Sequence, residues 1–162
     1  TTIDILQKNQ SIKINQNQII NGLKKMKWKG RLEFIAKNVL ADCAHNPDGF
    51  ITLKKELLII KRQKKIKNFI FVVGIQNDKD FISMLKIITP LISTIIFTKS
   101  SNVKALNPIK LSTIFKKINE NNKIKSIIIS NPKNALKYAK KTAKKNDLVV
   151  VAGSIYVVGE VI

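Results

Sequence analysis

The chain has 162 residues, 44% hydrophobic and 25% charged, a balance that describes one folded domain with its own core and excludes a disordered segment. Its apolar runs are strand-sized and flanked by Lys or Asn, so no membrane span is predicted, and the single Cys excludes an internal disulfide and suits a reducing cytoplasm. A formal net charge of +20 invites nucleic acid, but the lysines are dispersed, Arg stands only at positions 31 and 62, and no aromatics interleave with the basic residues; solvated lysines are expected, with no specific nucleic-acid groove and only salt-sensitive binding to polyanions.

Residues 1–26 carry two helical segments. Ile19, Ile20, Leu23 and Met26 form a stripe, and Asn15 or Asn17 is placed to cap it. The chain opens mid-pattern and without Met, which predicts a piece of a longer protein. Trp28-Lys29-Gly30-Arg31-Leu32-Glu33 then leads into Phe34-Ile35-Ala36, read as a first strand or hairpin arm returning into Val39–Asp42.

The next stretch, Asp42-Cys43-Ala44-His45-Asn46-Pro47-Asp48-Gly49, holds the only His of the chain. It separates that strand from a helical pattern through Phe50, Leu53, Leu57 and Leu58. A strand that ends in Asp and turns through His-Asn-Pro into a helix sets polar side chains at the carboxyl end of a sheet. Open α/β folds bind their ligands there.

Strands and helices alternate from here on. Phe69–Val73 reads as a strand ending at Gly74. Phe81, Met84, Leu85 and Ile88 give a helical stripe that Pro90 stops. Ile92–Thr98 is the next strand. Pro108 opens a helix through Leu111, Ile114, Phe115 and Ile118, and Ile127-Ile128-Ile129 is a short strand. Asn131-Pro132 reads as N-cap and first position of a helix that buries Leu136, Ala139 and Ala143. Leu148–Ala152 is the last long strand, followed by Gly153-Ser154. Continuous apolar runs suit parallel strands covered on both faces. The prediction is a Rossmann-like three-layer α/β domain with a mostly parallel sheet of about five or six strands. The segments after each strand (42–49, 74–80, 98–104, 130–131 and 153–154) would then gather on one edge, although strand ends call for turn residues in any case.

The six Gly fit neither the P-loop nor the dinucleotide fingerprint, no Ser sits in a nucleophile elbow, and one His with one Cys makes no usual zinc site. A nucleotide handled by this chain would need its phosphate-gripping half elsewhere.

Four motifs in order, Trp28–Glu33, Asp42–Pro47, Asp78-Lys79-Asp80 and Gly153-Ser154-Ile155-Tyr156-Val157-Val158-Gly159-Glu160, resemble the C-terminal domain of folylpolyglutamate synthase/dihydrofolate synthase, in the Mur ligase superfamily. The resemblance runs from about Ile19 to the end. It implies an ATP-dependent ligase that phosphorylates the carboxylate of a folate or related pterin and joins L-glutamate to it through the acyl phosphate. It also implies that the P-loop, the Mg2+ ligands and most of the pterin site belong to an N-terminal ATPase domain. Residues 1–26 would then be the end of that domain and the linker, and residues 27–162 the glutamate ligase domain, inactive alone.

By the same resemblance, Arg31 reaches the ATP phosphates, Asp42 the ribose hydroxyls and His45 the adenosine moiety, with Asn46-Pro47 fixing their loop. Lys79 and Ser154 meet the incoming glutamate, and Lys104 is a further anion-binding candidate. No metal ligand is expected within the chain. Each residue also has a structural reading: an ion pair of Arg31 with Glu33 or Asp42, a turn cap at Asp42, a backbone-satisfied His45, a solvated Lys79, and an N-cap at Ser154. The chain departs from the family pattern with Lys29 for Pro, Cys43 for Gly and Lys104 for Arg, the last keeping the charge without the planar fork. Cys43 is read as packing. The competing function is a non-catalytic nucleotide-binding or interaction module of the same fold.

Overall fold

The computed structural model describes residues 2–9, 12–26, 28–119 and 123–162. Position 27, at the predicted domain boundary, and positions 1, 10, 11 and 120–122 lie outside the described residues. Two helices come first, α1 (Thr2–Lys8) and α2 (Gln16–Lys25). Asn15 caps α2 reciprocally: Gln18 N donates to Asn15 Oδ1 at 2.9 Å, and Asn15 N donates to Gln18 Oε1 at 2.8 Å. The predicted apolar stripe is present, but α1 and α2 bury none of their described residues, and Leu23 and Met26 stand 61% and 63% exposed.

From Glu33 the elements are β1 (Glu33–Ala36), β2 (Val39–Ala41), α3 (Pro47–Gln63), β3 (Asn68–Val73), α4 (Phe81–Ile88), β4 (Ile92–Phe97), α5 (Pro108–Ile118), β5 (Lys125–Ile128), α6 (Pro132–Thr142), β6 (Asp147–Ala152) and α7 (Ile155–Gly159). They build one six-stranded sheet in the order β1-β2-β6-β3-β4-β5. Only β1 runs antiparallel, as the arm of a hairpin with β2. The mostly parallel, three-layer architecture is the one expected. Strand β5 begins two residues earlier than its apolar run, at Lys125, because backbone pairing of Thr94 with Lys125 sets its start rather than side-chain burial.

The period of two along each strand divides the apolar runs between two cores. Phe69, Phe71 and Val73 of β3 pack with Phe50, Leu53 and Leu57 of α3, with Met84, Leu85 and Ile88 of α4, and with Leu111 and Phe115 of α5. Ile70 and Val72 face the other way, toward Ala135 and Ala139 of α6 and Val157 and Val158 of α7. Helices α3, α5 and α6 each start with Pro after an Asn cap. The cap oxygens of Asn46, Asn107 and Asn131 accept from Gly49 N at 2.8 Å, Ile109 N at 2.9 Å and Asn134 N at 3.0 Å. Helix α4 ends at Ile88, and Pro90 occupies a single 3-10 turn before β4.

This order places the site. Strand β6 lies between β2 and β3. The chain leaving β6 turns to the face of α7, whereas the chains leaving β2 and β3 turn to the face of α3 and α4. Such a divergence opens a crevice at the carboxyl edge. Two glycines let the strand ends meet there. Gly153 has φ +106°, and a Cβ on it would lie 2.7 Å from Gly74 O; a Cβ on Gly74 would lie 2.7 Å from Thr98 O.

Gly153→Ala is therefore expected to destabilise the domain by more than about 1 kcal/mol in urea unfolding. Gly159→Ala, where an added methyl meets nothing within 4 Å, should be neutral or mildly stabilising.

Candidate functional site

Arg31 sits in a loop fixed on both sides by hydrogen bonds. Gly30 N donates to Glu33 Oε2 at 2.7 Å, Arg31 N to Trp28 O at 3.1 Å, and Cys43 N to Gly30 O at 2.7 Å. Gly30 takes φ +70°, and a Cβ there would collide with Cys43 Sγ at 2.8 Å, so the turn requires glycine. Neither Glu33 nor Asp42 pairs with the Arg31 guanidinium, since the sole ion pair among the described residues joins Asp78 and Lys79. The structural ion pair considered for Arg31 does not form.

Asp42 is buried at the end of β2, and its carboxylate is fully engaged with the backbone. Oδ2 accepts from Leu32 N at 2.9 Å and Oδ1 from Ala44 N at 2.8 Å. It thereby fastens the Arg31 loop to the loop that carries His45. His45 Nδ1 lies 2.9 Å from Cys43 O. A carbonyl only accepts, so Nδ1 carries a proton and donates, leaving the Nε2 side of the ring unspent on the backbone. Asn46 spends its side-chain oxygen capping α3.

Ser154 is buried and caps α7, its Oγ accepting from Tyr156 N at 3.2 Å. Lys79 Nζ lies 3.2 Å from Asp78 Oδ2, and this contact holds the Asp78 carboxyl below its ordinary range. The loops after β3 and β4 are zipped together: Asn77 N donates to Lys104 O and Leu106 N to Ile75 O, both at 2.9 Å.

Arg31, Cys43, His45, Gln76, Lys79, Ser154, Ile155 and Tyr156 line one cleft of about 200 Å3. That is smaller than the roughly 300–1,000 Å3 of drug-sized pockets, and suits an amino acid or one end of a longer ligand. A guanidinium, a lysine amine and one imidazole belong to a lining without a carboxylate, so the cleft favours anions. Among the described residues no group of three His, Cys, Asp or Glu side chains is arranged to hold a metal ion.

Of the residues singled out in the sequence, Arg31, His45, Lys79 and Ser154 come together in this cleft. Asp42 lies beneath it and Asn46 at the start of α3, both engaged with backbone amides. Lys104 is exposed on the neighbouring loop, near enough to Asp78 to help lower its pKa. Sequence reasoning missed Gln76 as a lining residue; its position two residues past Gly74, at a strand end, is the signal that could have found it. Cys43 is packed, as expected, and also lines the cleft. Burial pushes its thiol above the ordinary value, Arg31 opposes that shift, and Asp42 adds to it.

Two outcomes are expected here. Asp42→Ala orphans two backbone amides and should cost about 1–3 kcal/mol for each that stays buried, read from urea unfolding. Cys43 is buried and burial also raises its pKa, so both access and thiolate fraction fall and iodoacetamide should label it far more slowly in the folded chain than in urea.

A family model described as the C-terminal domain of dihydrofolate synthetase matches residues 7–162. The probable dihydrofolate synthetase of Schizosaccharomyces pombe is 31% identical over 169 residues, covering 99% of this chain and 39% of its own length. A probable bifunctional folylpolyglutamate synthase/dihydropteroate synthase of Haloferax volcanii is 28% identical over 149 residues, covering 91% of this chain and 17% of its own length. Among solved structures, E. coli FolC in complex with ADP superposes with a TM-score of 0.78 at 20% identity, over 91% of this chain and 34% of that one. The Yersinia pestis bifunctional folylpolyglutamate synthase/dihydrofolate synthase with AMPPNP and Mn gives 0.78 at 20% identity, over 91% and 33%. These structures share the fold, and the chain spans about two fifths of the fission-yeast relative and about a third of the solved ones. With its sequence matched over almost its whole length, the chain belongs to the dihydrofolate synthetase C-terminal domain family.

Proposed function

We propose that this chain supplies the C-terminal half of an ATP-dependent ligase that joins L-glutamate to a folate or related pterin carboxylate. The observation that carries this reading is the convergence of Arg31, His45, Lys79 and Ser154 in one anion-favouring cleft with no carboxylate in its lining. The likeness to dihydrofolate synthetases supports it, as does the ADP bound to E. coli FolC and the L-glutamate, AMPPNP and Mn bound in a related synthase structure.

On this reading ATP is held between the cleft and an N-terminal ATPase domain that contributes the P-loop and the Mg2+ ligands. A pterin carboxylate oxygen attacks the γ-phosphorus, ADP leaves, and an acyl phosphate results. The glutamate amine then attacks the acyl carbon, the C–O bond to phosphate breaks, and one N–H proton passes to water. The Arg31 guanidinium, free of any carboxylate partner among the described residues, neutralises charge on the transferred phosphoryl group. Lys79 and Ser154 take the carboxylates of the amino acid, with Lys79 exchanging Asp78 for its ligand. His45 lies against the nucleotide, and Asp42 and Asn46 hold its loop, Asp42 turning toward the ribose only if its amide bonds open.

The exposed apolar residues of α2, together with Trp28 at 69% exposure, form the face this reading assigns to the N-terminal domain. The reaction belongs in the cytoplasm, and the described helices include none long and apolar enough to cross a membrane.

The test joins the chain to an N-terminal ATPase domain of this type and follows glutamate-dependent ADP release on pterin acceptors. Release is expected from the joined protein and not from residues 1–162 alone. Arg31→Ala should lower kcat about a hundredfold or more, while Lys137→Ala, on the exposed side of α6, should leave it unchanged. Nucleotide binding without ADP release on any pterin would replace this reading with a non-catalytic module.

A further inference from the structure

The turn after β3 carries a pair of side chains of which the reaction above uses only one. Lys79 N donates to Gln76 O at 3.3 Å, which makes Gln76 and Lys79 the first and fourth residues of a tight turn, and both line the cleft. Gln76 is held from behind, its Nε2 donating to Asn102 Oδ1 at 3.3 Å. Asn102 Oδ1 also accepts from Lys104 N at 2.9 Å. The adjacent Ser101 is tied to the chain beyond α7, its N and Oγ lying 2.7 and 3.0 Å from Glu160 Oε1. With its NH2 end engaged, Gln76 Oε1 accepts from no described group, and no buried side-chain oxygen among the described residues lacks a partner. The oxygen is therefore open to solvent on a residue that lines the cleft.

An α-amino acid brings a carboxylate and an amine on one carbon, so its complement is a cation and an acceptor side by side. Lys79 and Gln76 present that pair from a single turn. The acceptor's neutrality matters chemically. A carboxylate beside the amine would hold it as ammonium, whereas an amide oxygen accepts an N–H and leaves the nitrogen free to lose a proton. The Lys79 charge nearby favours that loss.

We propose that Gln76 Oε1 accepts an N–H of the incoming glutamate α-amine while Lys79 meets the α-carboxylate, so that Gln76 orients the attacking nitrogen. Asn102 is the positioning residue behind it. This assignment rests on the ligase reading above.

The test is made in the joined two-domain ligase with two ligands, glutamate and glutarate, which keeps both carboxylates and lacks the amine. Gln76→Leu should weaken glutamate about tenfold and leave glutarate inhibition unchanged, and Asn102→Ala should move glutamate the same way to a smaller extent. Gln76→Glu keeps an oxygen acceptor but adds charge, so glutamate should still bind while the pH profile of kcat/KM for glutamate moves to higher pH. Equal weakening of both ligands in Gln76→Leu, or no change in either, or an unmoved profile in Gln76→Glu, overturns the assignment with the ligase reading intact. If the unaltered ligase neither binds glutamate nor releases ADP on its addition, the ligase reading falls and takes the assignment with it.

Discussion

One carboxylate organises the cleft. Asp42 leaves the end of β2 with its oxygens on Leu32 N and Ala44 N, binding the loop of Arg31 to the loop of His45. Neither amide belongs to a strand or helix, and without Asp42 the amide of buried Ala44 would lose its partner where little water reaches, while that of exposed Leu32 would turn to solvent and free its loop. Cys43 N on Gly30 O and Gly153 N on Ala44 O extend the same bracing across β2 and into the segment after β6. The guanidinium and the imidazole thus approach one cavity through backbone bonds made below it, not through contacts with each other.

Charge acts on two scales. The net +20 comes from lysines dispersed along the whole chain, and a charge of that kind acts at long range and is screened by salt. Selectivity arises where cations meet a concave wall without acids. Arg31 and Lys79 do so because the nearby acids are held elsewhere: Glu33 by Gly30 N, Asp42 by two amides, and Glu160 by Ser101. Asp78 alone competes, at the exposed rim, where the ion pair is weak and exchangeable.

Much of this architecture was legible in the residues. Continuous apolar runs mark the parallel strands, and Asn-Pro at 46–47, 107–108 and 131–132 stands at three helix starts, of which the last is the one whose spacing alone reads as cap and first helical position. The gathering of Arg31, His45, Lys79 and Ser154 followed from placing each beside a strand end or a matched motif. Partners set by long-range packing were not legible. Nothing local announces that the amide of Leu32 will reach an acid ten residues later, or that Asn102 will hold Gln76 across two loops. The unburied stripe of α2 shows the same limit from the other side, since amphipathic spacing predicts a helix but not what covers it.

The position of β6 has a temporal consequence. The strand at the centre of the sheet is the last to be made, inserted between two strands synthesised long before it. During translation β2 and β3 lack their shared neighbour until the strands and helices between have been made and β6 itself has left the ribosome. The long sequence separations of those pairings make sheet closure a late event. Ser154 follows that strand, so the chain up to residue 146 carries Arg31, His45, Gln76 and Lys79 but lacks the Ser154, Ile155 and Tyr156 part of the cleft wall.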